Sequence, residues 1–504
     1  MGNLLKNAGE GMESKAAKLR VKPKPFLFPE FCKGCARCIE SCRFGCITEG
    51  TEINPETGLI PVAIDLEKCS ACGLCVSACP EPFGLHLRAV NIDEIENEAL
   101  EGVHSFQEMA DLFDKADYEL EDPSELFGPR ETEALKPEAI PDEWVPFSHE
   151  EPLVLKGNYA SAVGAILAGC RHVYGYPITP STEGAELMAK LQPLMDGVFF
   201  QAVSEVATVN MMYGTGGAGL PCMTFTSSPG FSLMLEGFSY MVGAEVPGVF
   251  VNVMRGGPGL GNIAPEQADI KLACRGLGHG NSHAIVLAPS TPQEMLDLTM
   301  LAFELTFKYR NPVVILGDGY LGQMTGRVRL PDTMKKPGIP EWAVYGDASH
   351  RGNLISSIEL SEPVQEQHNI HLNEKYAEMG AHEQRADLFH MDDAEVLVVA
   401  TNTPARMAKG AVQELRDQGI KAGLFRPITV WPFPIDLLKP ALKNIRRIVM
   451  VEASNGQLED ELRLALSKAD IHPPPIDHVR HFGGILPQQH EIVDKVLSGE
   501  EAGQ

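Results

Sequence analysis

The sequence predicts an α/β protein with a large parallel sheet, a second and smaller α/β domain after it, and a small α+β domain before it. Three observations support this fold class. Nine of the twelve cysteines lie between Cys32 and Cys79. From about Leu153, apolar strand-like runs alternate with helical patterns, and a second alternation of this kind begins at Glu395. Strands that alternate with helices are typical of a parallel sheet covered by helices on both faces.

The composition is that of a globular protein with several domains. A chain of 504 residues predicts roughly three domains. The formal net charge of −26 argues against nucleic acid or an anionic membrane as a partner, because phosphate binding requires the opposite sign. No apolar run reaches membrane-spanning length, and the N-terminal segment lacks the apolar core of a signal peptide. We therefore expect a cytoplasmic protein. Residues 1–30 are polar and basic, and we expect an extended or disordered N-terminal arm.

Two copies of the spacing C-x2-C-x2-C-x3-C follow the arm. Three thiolates on one tight loop can bind three irons of a cubane cluster, and the fourth thiolate then comes from the other copy. We therefore predict two [4Fe-4S] clusters with crossed ligation. Zinc is the alternative, although zinc sites favour pairs of ligands with wider gaps between them. The first cluster would be held by Cys32, Cys35, Cys38 and Cys79, and the second by Cys69, Cys72, Cys75 and Cys42.

The stretch from Phe31 to about Val90 resembles bacterial two-cluster ferredoxins, which implies a small ferredoxin-like α+β domain at residues 31–90. One position departs from that pattern. Cys42 is followed by Arg43 instead of proline, and Cys46 lies four residues further on. Cys46 either replaces Cys42 as a cluster ligand or is a small buried residue with no part in the cluster.

Two stretches of irregular composition separate the other domains. Residues 91–151 include 20 acidic residues against three basic ones, which predicts a solvated tether, with a docking site for a basic partner as the alternative. Residues 331–392 are polar and contain several prolines, which predicts a connector that wraps a neighbouring subunit. The two stretches delimit a large domain at residues 152–330 and a smaller one at residues 393–504.

The segment Gly175–Glu186, GYPITPSTEGAE, joins a buried strand to an amphipathic helix. The pattern places Thr179 at the N-cap of that helix and Pro180 at its first position. Free backbone N–H groups would then point outward at the carboxyl end of a strand, where parallel sheets bind ligands and a carboxylate or phosphate fits. An ordinary capped helix without a ligand is the alternative.

Four segments of the large domain, taken in order, resemble the alpha subunit of thiamine-diphosphate-dependent 2-oxoacid:ferredoxin oxidoreductases. They are GYPITPSTEGAE, QAVSEVATVNMMYGTGGAG, TFTSSPGFSLMLEG and NVMRGGPGLGNIAPEQAD. The match extends from about Leu153 to Leu330. It implies a parallel-sheet domain that binds the aminopyrimidine half of the cofactor. The residues after Glu395 resemble the C-terminal domain that transketolases share with this family, where it makes subunit contacts.

The resemblance implies that Glu205 is the glutamate that hydrogen-bonds the pyrimidine ring nitrogen and shares a proton with it. Apolar neighbours in the sequence, Val203, Val206, Ala207 and Met211, would desolvate its carboxyl group. The local pattern alone also fits a helix with Ser204 as its cap and a first-turn glutamate that the helix dipole favours.

The resemblance also places Thr179, in the YPITP motif with Pro177, at the substrate carboxylate. Pro177 and Thr179 would contact the cofactor as well. Arg255, at the end of a predicted strand, matches an arginine that contacts the substrate, and a planar guanidinium suits the carboxylate of a 2-oxoacid. An ion pair within the loop is the alternative for Arg255.

Half of a thiamine site is missing from the sequence. Gly317-Asp318-Gly319 resembles the start of the motif that holds Mg2+ and the diphosphate, but no Asn-Asn pair follows at the right distance. Gly214–Gly219 fits G-x-G-x-x-G but follows a helix, so a dinucleotide site is not expected there. The resemblance implies that a separate beta subunit holds the diphosphate and Mg2+, and that this chain does not catalyse alone.

The implied reaction is the oxidative decarboxylation of a 2-oxoacid, in which coenzyme A takes the acyl group. The two clusters would pass electrons to ferredoxin or another low-potential acceptor, and we expect beta and gamma subunits as partners. The alternatives are an electron-transfer or assembly subunit with a vestigial thiamine half-site, and a non-redox thiamine lyase. The loop GGPGLGNIAPEQAD looks closer to members acting on branched-chain 2-oxoacids than to 2-oxoglutarate members, and aryl 2-oxoacids stay open.

Overall fold

A computed structural model of the chain describes residues 24–55, 58–81, 84–88, 137–148, 152–350 and 352–501. The chain divides into two compact units, with the boundary between Arg130 and Glu131. Most of the acidic segment lies outside the described residues.

The first unit has short elements: β1 (Lys24–Leu27), α1 (Arg37–Ser41), β2 (Ile47–Glu49), β3 (Val62–Ile64), α2 (Leu74–Ala78) and β4 (Leu85–Arg88). β1 pairs antiparallel with β4, and β2 pairs antiparallel with β3. Cys38 and Cys75 are buried between these pairs, together with Ile47, Val62 and Leu85. The arrangement is the small α+β domain that the cysteine spacing predicts. Its strand β1 comes from the end of the expected arm.

The second unit contains two α/β layers. Within the described residues its strands are β5 (Glu143–Pro146), β6 (Leu153–Lys156), β7 (His172–Gly175), β8 (Val198–Gln201), β9 (Cys222–Thr226), β10 (Val249–Met254), β11 (Ile285–Leu287), β12 (Val313–Asp318), β13 (Thr325–Val328), β14 (Thr333–Lys336), β15 (Ala386–Phe389), β16 (Val396–Val399), β17 (Ala422–Pro427), β18 (Thr429–Trp431), β19 (Arg447–Glu452) and β20 (Ile476–Arg480).

Its helices alternate with these strands, as the sequence predicts. Within the described residues they are α3 (Gly157–Leu167), α4 (Thr182–Leu191), α5 (Glu205–Gly217), α6 (Ser228–Leu233), α7 (Leu235–Gly243), α8 (Ile270–Arg275), α9 (Pro292–Lys308), α10 (Gly319–Gln323), α11 (Glu362–His382), α12 (Asn402–Asp417), α13 (Ile435–Leu438), α14 (Gln457–Lys468) and α15 (Gln489–Glu501). None of these helices is long and apolar enough to cross a membrane.

The larger sheet has seven strands in the order β18-β11-β12-β10-β9-β7-β8. All neighbours are parallel except β11 and β18. β9, β10 and β12 are buried at every position, because helices cover both faces of the sheet. The strands are nearly level at their carboxyl ends: Asn252 lies opposite Thr226, and Met254 opposite Asp318. The loops that follow these strands therefore meet at one edge.

The smaller sheet has the order β15-β17-β16-β19-β20, parallel except for the edge strand β15. Strand β18 leaves this layer and extends the larger sheet beside β11. Asp318 at the end of β12 accepts hydrogen bonds from both the backbone and the side chain of Thr403. The two layers are thus joined by β18, which follows β17 in the chain but pairs in the larger sheet, and by buried polar contacts.

The connector packs against its own unit, and its expected contact with a neighbouring subunit stays a prediction. Helix α11 buries Leu372, Tyr376 and Met379, and its Lys375 donates to Glu245 at 3.0 Å. The apolar face of α11 accounts for this packing, since it finds its partner in the same unit.

The last part of the acidic segment is also bound to the second unit. β5 pairs antiparallel with β14 in the connector. Lys335 and Lys336 form ion pairs with Asp142 and Glu143. This part of the segment therefore has a strand that pairs with the connector, although the strand is exposed, and most of the expected tether lies outside the described residues.

Candidate functional site

In the first unit, the four cysteines predicted for the first cluster line one small cavity. It is bounded by Cys32, Cys35, Cys38 and Cys79, together with Gly84. A Cβ atom at Gly84 would lie 3.0 Å from the Cys79 sulfur, so glycine leaves the space beside that sulfur free. The cavity brings one cysteine of the second motif to three of the first, as crossed ligation requires.

The second cysteine set repeats the geometry of the first. In each motif the second cysteine is exposed (Cys35, Cys72) and the third is buried (Cys38, Cys75). Positive φ angles recur at matching positions: Gly34 and Ala36 in the first loop, and Ala71 and Gly73 in the second. These angles turn each loop around the site that its thiolates would enclose.

Cys46 lies beside Cys42 in the structure. Its backbone N–H donates to the Cys42 sulfur at 3.4 Å, and its own side chain is 3% exposed. Cys46 therefore lies next to the second set of ligands, and this backbone contact does not require its thiol to bind iron.

In the second unit, the predicted active-site residues meet at the carboxyl edge of the larger sheet. Thr179 follows β7, Glu205 follows β8, and Arg255 follows β10 directly. The strands β8, β7, β9 and β10 are consecutive in the sheet, so these loops are neighbours.

Glu205 is the first residue of α5, and Ser204 caps this helix by accepting from the N–H of Ala207 at 3.2 Å. Glu205 is 5% exposed, and among the described residues no group of the chain donates a hydrogen bond to its carboxylate. A Cβ atom at Gly230 would lie 2.8 Å from Glu205 Oε1 and 2.5 Å from Thr226 Oγ1. Gly230 therefore makes room for the carboxylate.

The predicted neighbours of Glu205 are partly wrong. Val203 is 87% exposed and Val206 is 43% exposed, so neither covers the carboxylate. Val203 precedes α5, and the residue that lies against the carboxylate is Gly230 in α6, 25 positions further along the chain.

The start of α4 also differs from the prediction. The helix begins at Thr182 with Ser181 at the N-cap, so Thr179 is not the cap and Pro180 is not the first helical residue. The Ser181 N–H is not free either, because it donates to Ile178 O. The Thr179–Pro180 bond is cis. Pro177 and Thr179 are exposed at the edge of the sheet.

Three side chains from distant segments hold the carbonyl groups of this turn. Arg255 donates to Thr179 O at 2.8 Å. Asn158 donates to Pro180 O at 2.9 Å, and Gln323 reaches the same oxygen at 3.5 Å. The YPITP turn is thus fixed by its surroundings and not by helix capping.

Arg255 is 8% exposed and joins two loops. Its second terminal nitrogen donates to Leu260 O at 3.2 Å, and its Nε is buried without a hydrogen-bond partner. No ion pair of Arg255 is found among the described residues, so the alternative of a loop ion pair finds no support there. Because both partners of the guanidinium are neutral carbonyl groups, its positive charge is not paired and can attract an anion.

The sequence alone did not identify Asp269, a buried residue that is linked to Arg255 through Ser228. Asp269 accepts hydrogen bonds from Ser228 Oγ and Asn252 Nδ2, and Ser228 Oγ accepts from the Arg255 N–H. Burial raises the pKa of Asp269. Asp269 is the last residue of the segment NVMRGGPGLGNIAPEQAD, which carries the family resemblance, and this position could have identified it as a candidate site residue.

The same edge carries buried polar atoms without partners: Thr226 Oγ1, Ser227 Oγ and Asn252 Oδ1. Unpaired buried polar atoms are costly, and their concentration beside Glu205 and Arg255 fits a polar ligand. Asp318 is different. Its carboxylate is buried and accepts from the N–H groups of Tyr320 and Leu321 and from Thr403, so its bonds are structural, consistent with half a thiamine site.

Comparison with known families agrees with this geometry. A profile described as pyruvate flavodoxin/ferredoxin oxidoreductase, thiamine diphosphate-binding, matches residues 163–389. Core domain II of pyruvate:ferredoxin oxidoreductase matches residues 394–492, and a 4Fe-4S dicluster domain matches residues 31–82.

Ketoisovalerate oxidoreductase subunit VorB of Methanothermobacter thermautotrophicus is 44% identical over 344 residues, which cover 68% of this chain and 96% of the relative. The chain belongs to the 2-oxoacid:ferredoxin oxidoreductase family. The 2-oxoglutarate synthase subunit KorA of Methanocaldococcus jannaschii is 36% identical over 368 residues, covering 68% of this chain and 98% of the relative. Membership confirms the predicted oxidoreductase function, with thiamine diphosphate and [4Fe-4S] clusters as cofactors.

A solved structure of this family shares the fold. It is the 2-oxoglutarate:ferredoxin oxidoreductase of Magnetococcus marinus with 2-oxoglutarate, coenzyme A and succinyl-CoA bound. Its TM-score is 0.62 at 26% identity, over 69% of this chain and 65% of that chain. The predicted fold class is thereby confirmed. The relatives are named as subunits, so members of the 2-oxoacid:ferredoxin oxidoreductase family work as assemblies of several chains.

Proposed function

We propose that this oxidoreductase chain is an alpha subunit whose larger sheet supplies the aminopyrimidine half of the thiamine diphosphate site. The observation that carries the proposal is the Glu205 carboxylate, which lies beside Gly230 and the unpartnered Thr226 Oγ1 and receives no hydrogen bond from the described chain. A carboxylate at this edge with both oxygens unused can accept a hydrogen bond from a ligand.

Each predicted site residue has a role in this proposal. Glu205 holds and exchanges a proton with the pyrimidine ring. Thr179 and Pro177 form the turn that contacts the cofactor and the substrate carboxylate, and Arg255 binds that carboxylate. Bound thiamine diphosphate supplies the carbon nucleophile and stabilises the charge left after CO2 departs. The chain lacks the second half of the site, so a beta subunit would provide the diphosphate contacts and Mg2+.

The proposed route for electrons uses the first unit. Cys32, Cys35, Cys38 and Cys79 hold one cluster, and Cys69, Cys72, Cys75 and Cys42 hold the other. The cavity lined by the first set supports this assignment, and the repeated loop angles support it for the second. Ferredoxin or another low-potential acceptor would take the electrons, and a gamma subunit would complete the assembly.

The substrate we propose is a branched-chain 2-oxoacid, which would lose CO2, give up two electrons to the low-potential acceptor and transfer its remaining acyl group to coenzyme A. The 44% identity to a ketoisovalerate oxidoreductase subunit, against 36% to a 2-oxoglutarate synthase subunit, supports this choice. The exposed loop that carries Leu260 and Ile263 presents apolar side chains at the same edge as Arg255. An apolar wall beside a carboxylate-binding arginine suits a branched alkyl chain.

We also propose the domain boundaries and location predicted from the sequence. The arm, ferredoxin-like domain and acidic linker would occupy residues 1–30, 31–90 and 91–151. The pyrimidine-binding domain, connector and C-terminal domain would occupy residues 152–330, 331–392 and 393–504. The boundary between the two compact units lies within the proposed linker. The cytoplasm is the proposed location, and the four cysteines outside the proposed clusters form no disulfide, which agrees with a reducing compartment.

Glu205→Gln in the assembled enzyme tests the proposal. The amide retains the size of the side chain but cannot take a proton, so we expect kcat to fall by about 100-fold or more. Coenzyme-A-dependent viologen reduction measures the rate, and iron and thiamine diphosphate contents show whether the cofactors remain.

Glu362→Gln is the matched control, since Glu362 is also a first-turn glutamate but lies exposed at the start of α11, far along the chain from the site segments. We expect its activity to stay within about two-fold of the unaltered enzyme. Near-full activity of Glu205→Gln would contradict the proposal and favour an electron-transfer or assembly role for the chain.

A further inference from the structure

The smaller sheet has a ligand-binding crevice of the kind found in open α/β sheets. Its central neighbours β16 and β19 are parallel. Helix α12 follows β16 and packs on the core with Val396 and Val398, whereas α14 follows β19 and packs on the core with Leu397 and Val399. The two connections therefore leave for opposite faces. A crevice opens between such strands at their carboxyl ends, and small ligands bind there in many proteins of this class.

In this chain the crevice is filled by Gln267 from the loop after β10. Gln267 is fully buried. Its N–H donates to Ala453 O at 2.7 Å, and its Oε1 accepts from the Ala453 N–H at 2.8 Å. Its Nε2 donates to Thr401 O and Asn402 Oδ1, each at 3.2 Å. Thr401 lies just after β16 and Ala453 just after β19, so one side chain bridges both sides of the crevice.

Gln267 belongs to a short segment, residues 264–269, that also fixes Arg255. Pro265 forms an isolated bridge with Arg255, and Gly256 N donates to Ala264 O at 3.0 Å. Two residues after Gln267, Asp269 holds Ser228, whose hydroxyl group accepts from the Arg255 N–H. Residues at both ends of this segment therefore contact the backbone of Arg255, Pro265 directly and Asp269 through Ser228.

Glu266 strengthens the same connection. Its Oε2 accepts from Gly257 N at 3.3 Å in the Arg255 loop and from Gly483 N at 2.8 Å in the C-terminal layer. Residues 266 and 267 are therefore joined to the smaller layer at two separate places, while their neighbours are joined to Arg255.

We propose that Gln267 is a positioning residue that occupies the crevice of the smaller α/β layer as an internal ligand and thereby holds Arg255 in place for the substrate carboxylate. The smaller layer then contributes to catalysis without touching the substrate. The inference rests on the proposed role of Arg255, and its test separates the two.

The test uses Gln267→Ala in the full chain assembled with its partner subunits. Loss of the bridge should loosen residues 255–262, so that the amides of Gly256, Gly257 and Asn262 exchange with deuterium about ten-fold faster or more. KM for the 2-oxoacid should rise by about ten-fold or more, because small displacements of a positioning group have large effects, while KM for coenzyme A stays within about two-fold.

Gln384→Ala is the matched control. Gln384 also makes two hydrogen bonds between distant segments, accepting from Asp436 N at 2.9 Å and donating to Asp436 Oδ2 at 2.7 Å, but it forms no hydrogen bond with the crevice or with residues 264–269. We expect neither amide exchange at residues 256–262 nor the KM for the 2-oxoacid to change by more than about two-fold. Gln267→Met keeps the length of the side chain and removes its hydrogen bonds, so it should raise both quantities as well and serves if Gln267→Ala fails to assemble.

Unchanged exchange and KM in both Gln267 variants would overturn the inference, as would equal effects in the Gln384 control. Arg255→Lys separates this result from the proposed function. A raised KM for the 2-oxoacid in Arg255→Lys, with no effect at Gln267, would leave the role of Arg255 intact and remove only the role of Gln267. No effect in Arg255→Lys would remove the substrate role on which the inference rests.

Discussion

Glu205 is largely buried, accepts no hydrogen bond from the described residues and lies against Gly230. At the same edge, Thr226, Ser227 and Asn252 have buried polar atoms that lack partners. Residues with unmet hydrogen-bonding capacity in one place indicate a site that a ligand completes.

Gly230→Ala tests this local account. The added methyl group would displace the Glu205 carboxylate or Thr226 Oγ1, so we expect kcat to fall by about ten-fold or more with the clusters retained. Viologen reduction by the assembled enzyme measures it. Gly214→Ala is the control, because that glycine lies exposed in α5 with open space around it. Equal activity in the two variants would refute the requirement for glycine at position 230.

The ligand assignment of the second cluster gives another residue-scale prediction. Cys42→Ser should remove one of the two clusters, whereas Cys46→Ser should retain both, since the substitution leaves the backbone N–H that donates to the Cys42 sulfur unchanged. Iron per chain and the low-temperature EPR spectrum of the reduced protein report the number of clusters. Loss of a cluster in Cys46→Ser, with both retained in Cys42→Ser, would exchange the roles of the two cysteines.

At the scale of elements, sequence patterns predicted those helix and strand features that interactions between nearby residues determine. The sequence pattern predicts a strand at Val249–Met254 and a helix at Pro292–Lys308, and β10 and α9 have these bounds. Ser204 caps α5 as expected. The start of α4 was missed because Arg255, Asn158 and Gln323 hold the preceding turn from distant segments. The pattern also predicts one helix at Phe231–Met241, where the structure has the pair α6 and α7, which meet at Met234. Long-range hydrogen bonds leave no periodic pattern in a sequence, so they could not be predicted.

The candidate site divides in the same way. The resemblance identified Glu205, Thr179 and Arg255, and the structure brings their loops to one edge. It could not identify Gln267 or Asp269, because both act through partners that the fold brings together. Gln267 meets Ala453, and Asp269 meets Ser228 and Asn252, across sequence separations from 17 to 186 residues.

The end of α11 supplies an element-scale prediction that depends on pH. Burial alone would raise the pKa of Glu383, but hydrogen bonds from Lys308 and Tyr309 and the pair with Arg385 lower it to about 2. Because the folded pKa is below the unfolded value of roughly 4.3, the stabilisation is present above that pH and is lost as pH falls towards 2. Glu383→Gln should therefore cost about 3 kcal/mol at neutral pH and much less at the acid end.

Urea unfolding followed by tryptophan fluorescence measures this difference, since all three tryptophans lie in the second unit. Glu374→Gln on the exposed face of α11 is the control, and we expect it to change little at any pH. A destabilisation by Glu383→Gln that stays constant from neutral pH to about pH 2 would rule out this explanation.

At the scale of the whole molecule, the chain combines an electron-transfer unit with half of an active site. The dicluster match at residues 31–82 precedes the thiamine-binding match at residues 163–389, with the acidic segment between them. In the second unit, Gln267, Asp318 and β18 join the two layers into one body around the carboxyl edge. The incomplete site and the named subunits among the relatives both indicate that activity requires partner chains.

The central claim is that this chain, with its partners, oxidises a branched-chain 2-oxoacid. The most direct test is an anaerobic purification of the complex on the tagged full chain, followed by coenzyme-A-dependent viologen reduction with branched-chain, aryl and simple 2-oxoacids and 2-oxoglutarate. We expect activity that depends on the co-purified subunits and is highest with a branched-chain 2-oxoacid. An intact, cluster-loaded complex without activity on any 2-oxoacid would contradict the account.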